Sequence, residues 1–115
     1  MTDSKAGDVV VVPFPFTDLQ TVKRRPALVL ATVSSRSFPD LVVVAMITSQ
    51  LEGETITGDC KIAKWKEAGL LHPSNVRLAK VVSLETTVLL NKLGSLQKED
   101  RAGVKKELKK VFADV

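Results

Sequence analysis

The sequence predicts a mainly β domain of α+β type: a small antiparallel barrel or strongly bent sheet, with short helical turns and an amphipathic helix at its carboxy-terminal end. Three observations predict it. Short β-branched runs follow one another between breakers, no helix reads between the first three, and a helical period appears only near the end of the chain. At 115 residues the chain is long enough for one core and too short for two, so residues 1–115 read as a single domain.

The elements follow in order. Residues 9–12 (VVVV) lie between Gly7-Asp8 and Pro13, and a short β-branched run between breakers reads as a buried strand. Residues 27–33 (ALVLATV) and 41–48 (LVVVAMIT) read the same way, with SSRSFPD as the turn between them. Further on, DCKIAK (59–64) is a strand, and KWKEAG makes one helical turn that ends on Gly69 in the left-handed cap position. SNVRLAKVVSL is a strand in which Val76, Leu78 and Val82 share a face interrupted by Lys80, and ETT turns the chain into VLLNKLGSL. From about Gln97 the period changes. Val104, Leu108, Val111 and Phe112 form an apolar stripe opposite Lys105, Lys106, Lys109 and Lys110.

Composition narrows the function classes. Seventeen Lys and Arg against 13 Asp and Glu give a net charge of +4, which favours a polyanionic partner. One cysteine, Cys60, and one histidine, His72, are too few for an internal disulfide or a structural zinc site. No metal or cofactor is expected. The amino-terminal MTDSKAG lacks the basic and apolar regions of a secretion signal, and no apolar run approaches a membrane span, so the expected location is cytoplasmic.

The segment PFPFTDLQTVKRR, between the first two strands, has the length of a functional loop. Phe14 reads as a core residue and Phe16 as a surface on which a base could stack. A charge run such as Lys23-Arg24-Arg25 is ordinarily a solvated face. Pro26, however, biases Arg25 toward extended backbone where a buried strand begins, so Arg25 is held rigidly while Lys23 and Arg24 stay on the loop. A fixed guanidinium binds phosphate bidentately and stabilises added negative charge. Residues 46–50 (MITSQ) end the third strand with Thr48, Ser49 and Gln50, and antiparallel pairing with the second strand makes Arg25 and Thr48 neighbours. His72 is the residue type that suits a general base, but as a lone histidine before a proline in a turn it reads as a surface residue, and Cys60 and Trp65 read as packing residues. Glu85, Asp18 and Asp40 show no spacing that signals a carboxylate pair, and the chain has no glycine-rich phosphate loop or nucleophile elbow.

Taken together, Gly7-Asp8 with its valine run, PFPFTD, KRRPALVL, ITSQ, SNVRLAKVVSL and NKLGSL resemble the MazF/PemK family of toxins from bacterial type II toxin-antitoxin pairs, from Gly7 to the terminal helix. The resemblance implies an SH3-like β-barrel, a homodimer whose groove holds single-stranded RNA, a cognate antitoxin and no membrane association. It also implies a metal-independent, sequence-specific endoribonuclease that leaves 2′,3′-cyclic phosphate and 5′-hydroxyl ends. By motif, Arg25 and Thr48 match the family's catalytic residues, and Phe16, Thr17, Lys23, Arg24, Ser49, Gln50, Arg77 and Lys80 would line the RNA groove. Two positions depart from the pattern. The first loop offers only Asp18 and Gln20 where some relatives carry Glu, and Ala79-Lys80 stands where many carry an acid. A toxin on the same barrel that binds a protein such as DNA gyrase, and a noncatalytic RNA-binding module, are the alternative readings.

Overall fold

The computed structural model describes residues 4–15, 22–37, 39–53 and 55–115. Six strands, β1 (Asp8–Pro15), β2 (Val22–Val33), β3 (Leu41–Thr48), β4 (Asp59–Ile62), β5 (Ser74–Glu85) and β6 (Asn91–Ser95), form one antiparallel sheet of order β4-β5-β3-β2-β1-β6. A 3-10 turn, Thr86–Val88, joins β5 to β6, and helix α1 (Lys98–Val111) follows. Hydrogen bonds leave the sheet open, with β4 and β6 as its edges. Packing brings the two edges together. The segment after β4 runs so close to β6 that a Cβ on Gly69 would collide with the Leu93 carbonyl, and one on Gly94 with the Ala68 carbonyl. Gly69 has φ +90° and ends the predicted single turn, in which the Ala68 N–H donates to the Lys64 carbonyl.

The uninterrupted valine runs have a structural cause: both faces of the sheet are buried. Val9, Leu28, Ala45, Ile47, Val76 and Leu78 pack with Ile62, Ala68, Leu70, Leu96 and Val104 under the helix. Their strand neighbours Val10, Val12, Ala27, Val29, Val42 and Val44 point the other way and pack around Leu89. Each such aliphatic side chain contributes about 1.5–3 kcal/mol on burial.

Three expectations need correction. β1 runs through Pro13 to Pro15 and β2 begins at Val22, so Lys23 and Arg24 sit on a strand rather than on the loop. The prolines are tolerated because each lies where one side of its strand has no ladder. The pairing of β1 with β6 ends at Val11, and that of β2 with β3 starts at Ala27, one residue after Pro26. Val82 does not share a core with Val76 and Leu78. The register of β3 against β5 shifts between Ala45 and Met46, skipping past Lys80, so Val82 joins the other core. Finally, α1 ends at Val111. Val104 is buried, Leu108 and Val111 pack at the core's edge, and Phe112, beyond the last turn, is exposed.

Two buried acids anchor this frame. Asp8, fully buried, accepts from the Ser95 hydroxyl (2.9 Å) and the Lys5 N–H (3.0 Å), and pairs with Lys92, which ties β1 to β6. Asp100, in the first turn of α1, accepts from the Ala63 and Lys64 N–H groups at 3.0 and 2.9 Å and pins the helix to the turn after β4. Among the described residues no helix is long and apolar enough to cross a membrane.

Candidate functional site

The site forms where β2 and β3 part company. Their last pair at this end is Ala27 with Met46; two residues further along each strand come Arg25 and Thr48. Both side chains line a cleft of about 700 Å³ that opens between this strand end, the segment around residues 69–72 and the first half of β5. Arg25 is half-buried, with its Nε out of contact with solvent. Thr48 is buried, and its Oγ1 accepts the Gln50 N–H at 3.1 Å, so the hydroxyl is held by the chain that leaves the strand. Ser49 and Gln50 are exposed on the same rim, and Val11, Pro26, Met46 and Leu93 form an apolar wall.

From β5 the cleft receives Arg77 and Lys80. Lys80 is exposed. Arg77 is engaged within the fold, its Nε and Nη2 donating to Asp59 Oδ1 and Oδ2 at 3.0 and 3.2 Å. The Asp59 side chain is 2% exposed. Burial pushes its carboxyl up, but the Arg77 hydrogen bonds, the Ile56 N–H and the guanidinium charge outweigh this and hold it below its ordinary 3.8. The same bonds raise Arg77 further above its already high value. Arg77 thus acts first as a clamp between β4 and β5 and only second as a cleft cation.

Not every residue expected at the site lies there. Lys23 and Arg24 are exposed on β2 and do not line the cleft. Phe16 and Thr17, with Asp18 and Gln20, lie outside the described residues. Two titratable residues outside the expected set line the cleft, His72, read above as a surface residue, and Glu52, both exposed. No spacing in the sequence joins either of them to Arg25, and the fold alone brings them to one opening. Cys60 and Trp65 pack against the core beneath α1. Burial, with the nearby charges of Glu107 and Asp100, pushes the Cys60 thiol up, so it behaves as a small apolar group. Among the described residues no three His, Cys, Asp or Glu side chains group as metal ligands would.

Among the described residues the cleft combines a half-buried guanidinium, a held hydroxyl, two further cations, an imidazole and one carboxylate. Such a cleft suits a phosphodiester with the flat face of a base against its apolar wall. Comparison with known proteins places the chain. No functionally curated protein matches it. Among solved structures it resembles MazF from Deinococcus radiodurans at 22% identity and TM-score 0.70, with 96% of each chain covered. It also resembles the Mycobacterium tuberculosis toxin MazF-mt6 (20% identity, TM-score 0.66, 90% of this chain and 96% of that one). A third similar structure is an endoribonuclease in complex with its cognate antitoxin from a mycobacterial species (16% identity, TM-score 0.70, 97% of each chain). The family model for PemK-like, MazF-like toxins of type II toxin-antitoxin systems matches residues 5–112, nearly the whole sequence, and the chain belongs to that family.

Proposed function

We propose that this protein is a metal-independent, sequence-specific endoribonuclease that cleaves single-stranded RNA. The observation that carries the reading is the meeting of Arg25 and Thr48, from different strands, in one cationic cleft. In the proposed reaction the 2′-hydroxyl attacks its own phosphorus and the bond to the 5′-oxygen breaks, leaving a 2′,3′-cyclic phosphate and a 5′-hydroxyl. The nucleophile belongs to the substrate, so no metal-bound water is needed. Arg25 neutralises the charge that builds on the phosphorane, and the Thr48 hydroxyl donates to a nonbridging oxygen. Ser49, Gln50 and Lys80 hold the flanking strand, and Lys23 and Arg24 draw RNA in from the exposed start of β2.

The cleft in one copy spans few nucleotides, so a second copy extends it, and the working form is a homodimer. An acidic antitoxin segment, ordered only when bound, blocks the same cationic surface, and the protein acts in the cytoplasm. The test is to incubate purified protein with a pool of single-stranded RNA in EDTA and map the ends. Cleavage at a short common sequence with cyclic phosphate ends is the expected result. Intact RNA under conditions where the protein arrests growth would reject the nuclease reading and favour a protein target such as gyrase.

A further inference from the structure

The cleavage moves two protons, one off the 2′-hydroxyl and one onto the departing 5′-oxygen. The departing alkoxide needs a donor that holds a proton near neutrality and releases it readily. An imidazolium does this; guanidinium and ammonium groups do it poorly. The one imidazole in the chain, His72, lines the cleft together with Arg25 and Thr48. Its ring is exposed, but its backbone is held at the entrance to β5. Pro73 restricts it to extended geometry, and its carbonyl accepts the buried Ser74 hydroxyl at 2.8 Å. The charged groups that share the cleft with it are Arg25 from β2, Glu52 from the chain after β3, and Arg77 and Lys80 from β5. Arg77 is committed to Asp59. Among the described residues, Glu52 is the carboxylate of this lining.

We propose that His72 is the general acid of this cleft and Glu52 its base, an assignment that rests on the nuclease reading above. The Glu52 carboxylate takes the 2′-hydroxyl proton as the O2′–P bond forms. The P–O5′ bond breaks with its electron pair on O5′, and the His72 imidazolium protonates that oxygen. Exchange with solvent then returns a proton to His72 and removes one from Glu52.

The experiment compares two RNA substrates at the mapped cleavage site in single turnover, one ordinary and one with the bridging 5′-oxygen replaced by sulfur. A thiolate leaves without protonation. His72→Ala is expected to slow the ordinary substrate by roughly 100- to 10,000-fold and to cleave the sulfur substrate at close to the wild-type rate. Glu52→Gln is expected to slow both substrates, because 2′-hydroxyl deprotonation is common to them. Wild-type speed in His72→Ala on ordinary RNA, or equal slowing on both substrates, would overturn the assignment while leaving the nuclease reading intact. A wild-type protein that cleaves neither substrate would overturn both.

Discussion

The β4–β5 side of the molecule and the end where β2 and β3 part differ in how much of their polar surface faces outward. On the first, each buried charge has a dedicated partner inside the fold: Arg77 forks onto Asp59, and Asp100 caps the backbone of residues 63 and 64. At the second, Ser49, Gln50, Glu52, His72 and Lys80 gather around Arg25 and Thr48 with their heads toward an open cleft. The difference teaches where to look for the charges that serve the fold of a cationic protein: they fork onto a neighbouring strand or cap a turn, whereas the side chains of the cleft lining stand where something can enter from outside.

The largest expected effect tests the open end. Arg25→Ala should lower the single-turnover cleavage rate at saturating RNA by roughly 100- to 1000-fold, the loss usual when one preorganised charge stabiliser is removed, and circular dichroism should stay unchanged. Arg25→Lys should recover little, because a point charge cannot match a planar fork. If the guanidinium were one more clamp, melting would shift and the rate would follow the folded fraction.

On the locked side the sign reverses. Asp100→Ala leaves two N–H groups, those of Ala63 and Lys64, without their acceptor and should cost about 2–4 kcal/mol in chemical denaturation. Cleavage per folded molecule should not change.

The Asp59–Arg77 pair sharpens the comparison because it borders both regions. The Asp59 carboxyl is held below its ordinary 3.8, so its contribution is full above about pH 4 and disappears as pH falls through the lowered value. Asp59→Asn should therefore lower stability by on the order of 1–3 kcal/mol at neutral pH, and the variant and wild-type curves should converge in acid. Urea titrations at several pH values would show whether they do.

The smallest effect belongs to the exposed start of β2. Lys23→Ala or Arg24→Ala should each flatten the salt dependence of RNA binding by about one counterion and leave the rate at saturation unchanged. A large loss in that rate would move either residue from encounter into the cleft.

Much of this was legible in the sequence because it depends on local chemistry. β3 matches its predicted run residue for residue, the left-handed Gly69 ends its turn, and the helical stripe of Val104, Leu108 and Val111 faces the core. The proximity of Arg25 and Thr48 also followed, since antiparallel strands joined by a short turn leave one arrangement for their far ends. What the sequence left open depends on contacts between distant segments. The prolines of β1 and β2 read as breaks, yet they sit in strands because no ladder needs their missing N–H groups, and that depends on where β6 and β3 stop pairing. The buried Asp8 and Asp100 carry no mark that separates them from surface acids, because their partners lie far along the chain. His72 and Glu52 reach the cleft from the chain before β5 and the chain after β3. Side-chain type and period are set residue by residue, so the sequence determined strands, helix and the closeness of Arg25 to Thr48; which polar groups face one another is set by chain crossings, which only the tertiary structure decides.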